Sequence, residues 1–266
     1  MKKILLSLLL LFVFIVNSYA AGCTFANTGS ATDPGAADNT TNFSTTPLTN
    51  AVNAGDLIVV GLANFNTDPA AISGITDSAG NTYTRQVDYY TTSSHGLAIY
   101  TSKITTGAAA GTLTLTVNKN GVGTTVVIAY HHIAAANWDG TTIFDGTPPA
   151  AGDQTGTTNT ITTAATSVAT DCVIQYFDSS AQSVVTAGTP QTGFTASVSN
   201  NNETGFTQIA SASQQMAATS SGVTAGWPSI TNSTSKHTVV EAVVIKGAAG
   251  GGGGGGTYVP GIWLIN

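Results

Sequence analysis

Residues 111–119 read Gly-Thr-Leu-Thr-Leu-Thr-Val-Asn-Lys, and their strict alternation decides the fold class. Leu113, Leu115 and Val117 fall on one face of an extended chain, and Thr112, Thr114 and Thr116 fall on the other. Successive side chains of a strand point to opposite sides, so this segment reads as a half-buried β-strand. The same signature runs outward in both directions. Upstream lie "DLIVVGLANF" from Asp56, "ISGIT", "TYTRQVDYY" and "GLAIYTSKI" from Gly96. Downstream lie "TTVVIAYHHI" from Thr124, "TNTITTAA", "CVIQYFD", "TGFTQIASAS", "QQMAATS" and "HTVVEAVVIK". Each is apolar or β-branched and bounded by Gly, Asn, Asp or Ser, the composition of strands and turns. Helical periodicity is absent after the first twenty residues. The expectation is an all-β chain of about ten to twelve strands in a single β-sandwich, jelly-roll or immunoglobulin-like, with a closed barrel as the second choice.

Punctuation sets the connections. In "DSAGN", Gly80 and Asn81 can take positive φ, so the strands on either side are expected to form a hairpin. Residues 134–158 contain "WDG", "FDG" and Pro148-Pro149 and read as a loop or crossover. No linker of distinct composition and no repeat pointing to a solenoid or propeller divides the middle, so one sandwich is expected over residues 51–246, joined by an N-terminal segment at 21–50.

The ends read differently. Lys2 and Lys3, the apolar run from Ile4 to Val16, and Ser18 and Ala20 form the three parts of a secretory signal, an N-terminal helix expected at 1–20 with cleavage after Ala20. Secretion, or display on the surface of a bacterium, is favoured over a lipoprotein anchor at Cys23, because Asn17, Ser18 and Tyr19 separate the apolar run from that cysteine. An oxidising compartment then makes a Cys23–Cys172 disulfide the expected use of the two cysteines. Residues 247–256 are a Gly-rich linker, and 257–266 form a tail ending in Ile262, Trp263, Leu264 and Ile265. Seven glycines give a tether with a reach of about 15 Å. Four consecutive large apolar residues on such a tether suggest docking on a groove or a second chain, and self-association is one outcome.

Composition narrows the partners. Loss of Lys2 and Lys3 leaves 5 basic against 13 acidic residues, a formal charge of 5 − 13 = −8. No basic stripe is present to neutralise phosphates, so nucleic acid is not expected as a partner, and no span of a membrane is expected after signal removal.

The run "AGDLIVVGLANF … ITDSAGNTYT … GLAIYTSKI … GTLTLTVNKNGVGTTVVIAYHHI" resembles a β-sandwich module found in secreted, surface and phage-associated bacterial proteins. The features that carry the resemblance are Ala54-Gly55-Asp56 before a strand, the turn from Thr76 to Tyr83, and the aliphatic closing strand up to Lys246. It implies a sandwich in an extracellular or particle-surface setting. It implies no activity and transfers no catalytic residue.

The chemistry-bearing residues are few. His131 and His132 are adjacent in a strand and point to opposite faces, so they cannot share one metal ion; one imidazole is expected to be partly buried and the other solvated. Asn64, Asn66 and Asp68 offer oxygens at alternate positions but lack the glycine and glutamate of a calcium loop. Asp77 is expected to cap its own turn in preference to binding calcium, and no cofactor is expected. Asp139 and Asp145 are the one carboxylate pair with the spacing and aromatic company of a glycosidase, yet Asp-Gly turns explain both more simply. No nucleophile elbow, Walker loop or zinc-protease motif occurs, and the chain is read as a non-enzyme. The leading expectation is an exported interaction or structural module. The alternative is carbohydrate binding, with Trp138, Tyr89, Tyr90 and Trp227 as stacking candidates beside Asp139 and Asp145, and a polysaccharide-active enzyme comes third.

Overall fold

The alternation at 111–119 holds in space: Leu113, Leu115 and Val117 are fully buried, and Thr116 and Asn118 are half-exposed. The computed structural model describes residues 24–33, 42–65, 71–90, 95–120, 125–146, 150–179, 185–201, 208–232 and 237–248. The expected signal, Cys23, Asn66, Asp68, most of the Gly-rich linker and the apolar tail lie outside the described residues. Those residues are all-β and antiparallel, with one short 3₁₀ turn at Ala135–Asn137.

The N-terminal half supplies β1 (Phe25–Thr32), β2 (Phe43–Ser44), β3 (Leu57–Phe65), β4 (Ile72–Asp77), β5 (Thr84–Tyr90), β6 (Gly96–Lys103), β7 (Leu115–Lys119) and β8 (Thr125–Ile133). They form a five-stranded sheet, β1-β8-β3-β6-β5, and a three-stranded sheet, β2-β7-β4. Ile58, Val60, Leu62, Tyr100 and Ile128 of the larger sheet pack against Phe43, Ile75, Leu115 and Val117 of the smaller one in a single apolar core. This is a two-layer sandwich built from alternate residues of each strand.

The C-terminal half supplies β9 (Ala150–Thr155), β10 (Asn159–Thr162), β11 (Cys172–Ser179), β12 (Val185–Ala187), β13 (Thr195–Asn201), β14 (Gln208–Gln215), β15 (Thr224–Trp227), β16 (Ile230–Asn232) and β17 (His237–Ile245). Its large sheet runs β9-β17-β11-β14-β13, the order of the first half strand for strand, and the pairs β10-β15 and β12-β16 cover one face of it. The correspondence reaches individual residues. Leu57 sits opposite Ile133 and Lys103 as Cys172 sits opposite Ile245 and Gln215. A bulge between Arg85 and Val87 recurs between Ala196 and Val198. The expected single sandwich is therefore corrected to two copies of one sandwich. The expected loop at 134–158 carries the passage between them and already contains β9.

The copies meet through their large sheets. Leu57, Val59, Leu97, Ile99, Val127 and Ala129 of the first pack on Ile174, Tyr176, Ile209, Val239 and Val243 of the second, with Trp138 in the same core. The central strands are thus covered on both faces, and every residue of β8 and β11 is buried. That double cover explains why they read as continuous apolar runs. Close approach depends on Gly61, where a Cβ would stand 2.2 Å from the ring of Tyr176.

The expected hairpin across "DSAGN" is cut to one antiparallel bridge, Thr76 to Thr82, and beyond it β4 belongs to the small sheet and β5 to the large one. Gly80 does take positive φ, at 81°. Asp77 Oδ1 accepts the N–H groups of Ala79 and Asn81 at 3.0 and 2.9 Å, which is the capping expected of it. Asn81 Oδ1 then accepts the N–H groups of Thr105 and Thr106, both at 2.9 Å, and this pulls the turn toward the β6–β7 connection. The chain crosses between layers where a hairpin would have returned.

Candidate functional site

An open groove of about 630 Å³ lies where β1 of the first copy meets β13 and β14 of the second. Phe25, Asn27 and Thr28 come from β1, Thr49 from the segment before β3, Thr195 and Ser197 from β13, and Ser213 and Gln215 from β14. Among the described residues no charged side chain lines it. Thr28, Thr49, Thr195 and Gln215 are exposed, and Ser197, Ser213 and Phe25 are half-buried. The wall therefore offers hydroxyl and amide groups that both donate and accept, with one aromatic edge.

The floor is rigid because Asn27 is locked. Its Oδ1 accepts the Thr49 hydroxyl at 2.8 Å and the Asn50 N–H at 3.0 Å. Its Nδ2 must then be the donor to His132 Nδ1, 2.9 Å away. That fixes the His132 tautomer, with the proton on Nε2 and given to Asp56 Oδ2 at 2.7 Å. Asp56 also accepts Asn53 N–H at 2.8 Å and Ala135 N–H at 2.8 Å. A buried chain Asp56, His132, Asn27, Thr49 thus runs from the start of β3 to the groove. The group that meets the imidazole is the Asn27 amide, which stands between it and the Thr49 hydroxyl, so the chain positions the groove floor.

His131 and His132 do point to opposite faces, but both are buried, because the second copy covers the face expected to meet solvent. His131 packs 4.7 Å from Phe25 and 5.6 Å from Tyr176, with Nδ1 2.9 Å from the Tyr176 hydroxyl. Burial drives its pKa down to about 3. At the other end of the interface His95 Nδ1 meets Asp178 at 2.7 Å, and Glu241 is fully buried nearby. Burial, with the charges of Asp88 and Asp178, holds the Glu241 carboxyl well above its usual range.

The six sequence-nominated ligand residues do not converge. Trp138 is buried and donates its Nε1–H to Gly55 O at 3.0 Å, and Trp227 lies in the core of the second copy beside Phe177. Tyr89 is half-buried against the inter-copy core, and the Tyr90 ring covers Gly96. The carboxylate of Asp139 caps its own turn. The Thr141 hydroxyl and the Thr142 N–H bring its pKa down to about 2. Asp145 instead accepts the Ser167 hydroxyl at 2.7 Å and, together with Asp171, the Ser167 N–H. Burial opposes ionisation of Asp145, but the bonds from Asp171 and Ser167 outweigh it and lower its pKa, while burial and the Asp145 bond raise that of Asp171. Of the calcium candidates, Asn64 is buried in β3. Among the described residues no group of three His, Cys, Asp or Glu side chains could hold a metal ion. Cys172 is buried at the start of β11.

The groove residues were not nominated from sequence. They are ordinary Thr, Ser, Asn and Gln from β1, the segment before β3, and the paired strands β13 and β14, and only the packing of one copy on the other collects them. The fold and the groove together define a pseudo-repeated all-β protein with a cleft between its copies that its described residues line with neutral side chains. Comparison of the chain with protein-family models, with curated proteins and with solved structures finds no match.

Proposed function

We propose that the protein is an exported, non-catalytic interaction module, each half a jelly roll, whose inter-copy groove takes a neutral, hydroxyl-rich ligand such as a glycan chain. The observation that carries this reading is the lining: an open volume of about 630 Å³ walled by neutral hydroxyl and amide side chains. Such volumes suit small ligands, and groups that donate and accept match the hydroxyls of a sugar better than they match an ion. The mature charge of −8 and the secretory signal read at 1–20 support an extracellular setting. A Cys23–Cys172 bridge belongs to the same proposal, and a thiol count on the denatured chain checks it.

A glycan array with the parent protein and the Ser197→Trp variant tests the groove. Binding by the parent that the tryptophan abolishes, with an unchanged thermal midpoint, supports it. Binding that survives the blockade, or silence from the parent, contradicts it. Release of reducing sugars by the parent would replace the non-catalytic reading with an enzymatic one. Removal of residues 257–266 separates the docking role proposed for Ile262 to Ile265, since loss of self-association or of surface retention is its expected result.

A further inference from the structure

We propose that Lys119 and Asp33 condense to an intramolecular isopeptide bond that staples the end of β1 to β7. Asp33 follows β1, and its N–H donates to Val126 O at 3.0 Å. Ala31, two residues earlier, packs into the inner core of the first copy, so Asp33 shares that inward face. Lys119 ends β7 in the opposing sheet, on the same inward face as Leu115 and Val117, and its N–H is held by Asn42 Oδ1 at 2.7 Å. Both side chains are fully buried, and Nζ of Lys119 is in contact with Oδ2 of Asp33.

Two features set this pair apart from an ordinary ion pair. The Arg85–Asp88 and Lys246–Asp139 pairs are solvated, with side chains 20 to 40% exposed. Lys119 is one of five basic residues left after signal removal, and placing it inside a sandwich is costly for an ammonium ion. Among the described residues, the second copy also builds the equivalent end of its sandwich without such a pair. Gln154 stands opposite Thr238 where Asp33 stands beside Val126, and Trp227 with Asn159 fills the space between the layers. The fold alone therefore does not call for the lysine and the aspartate.

The chemistry balances without another reagent. Transfer of the ammonium proton to the carboxylate removes both charges from the core and leaves a neutral amine beside a carboxylic acid. The Nζ lone pair attacks Cγ, a C–N bond forms, an Nζ proton passes to the hydroxyl oxygen, the Cγ–O bond breaks, and one water leaves. Fixed contact of the reacting groups replaces a bimolecular encounter, which is the usual source of high effective molarity. The product is a neutral amide that closes a loop between residues 86 positions apart. Like a disulfide, such a link restricts the unfolded chain, and unlike one it resists reduction.

The test is the intact mass of the full mature chain, purified under native conditions and then reduced. The expected mass is lower than the sequence mass by one water, and tryptic digestion yields a branched peptide joining the Asp33 segment to the Lys119 segment. Asp33→Asn is expected to lose one ammonia instead of one water, and Lys119→Met to lose neither. A parent chain at full sequence mass, cleaved by trypsin after Lys119, overturns the proposal. So does a loss of water that maps to any other position. Because the parent chain decides the question, a variant that fails to fold does not blur it.

Discussion

Val60 and Gln175 occupy the same place in the two copies, three residues into the central strand and facing the small sheet. Val60 belongs to one continuous apolar core. Gln175 is fully buried, donates Nε2 to Gly226 O at 3.2 Å and accepts the Gly226 N–H. The apolar residues on either side of it fall into two clusters, one around Phe177 and Trp227, the other around Val173 and Val244. One scaffold thus tolerates either a closed apolar core or a core pinned through a backbone strand by one amide. What the copies keep in common is the buried aspartate that opens each central strand. Asp171 accepts Val168 N–H at 3.1 Å and Gly247 N–H at 2.9 Å, just as Asp56 accepts those of Asn53 and Ala135.

The contact between the copies should give the largest effect. His131 lies in it with a pKa of about 3, against about 6.5 for an unfolded histidine. Its folded pKa is depressed, so the stability it contributes is full above pH 6.5 and is lost as pH falls toward 3. The loss amounts to about 5 kcal/mol over that window. Urea denaturation across pH should show this acid limb in the parent and a flatter one in His131→Phe. Glu241, in the same interface, works in the opposite sense. Its carboxyl is raised, so stability falls as pH climbs above the ordinary glutamate range, and Glu241→Gln should remove that decline.

The shared aspartates come next. Asp56→Ala leaves the buried His132 and the N–H groups of Asn53 and Ala135 without their acceptor and should cost about 4 kcal/mol, and Asp171→Ala about 3 kcal/mol because Asp145 still takes Ser167. Equal losses would sharpen the equivalence of the copies, and a negligible loss at either site would break it. Swapping the cores should have the smallest effects. Val60→Gln, with no arranged partner, should cost about 3 kcal/mol, and Gln175→Val about 1 to 2 kcal/mol for the orphaned Gly226 N–H. Denaturation midpoints at constant m-value check both.

The strands were legible because Leu113, Leu115 and Val117 alternate with threonines, and the cap at Asp77 was legible because its partners are two and four residues away. The repeat was not. Ala54-Gly55-Asp56 and Ala169-Thr170-Asp171 share two residues of three, and Tyr83-Thr84 answers Phe194-Thr195, but the equivalence is carried by register and backbone hydrogen bonds that many sequences satisfy. The burial of His131 and the groove were hidden for a related reason. Both arise where one copy covers the other, over separations in sequence that periodicity does not sense.

Two copies of one sandwich share the core between their large sheets, and a shared core makes them unfold together. Hydrogen exchange of the full chain across a urea series, read at β3 and β8 in one copy and at β11 and β17 in the other, tests it most directly. The four strands should open with one free energy and one denaturant dependence. Two separate transitions, with β3 and β8 exchanging while β11 and β17 stay protected or the reverse, would contradict it.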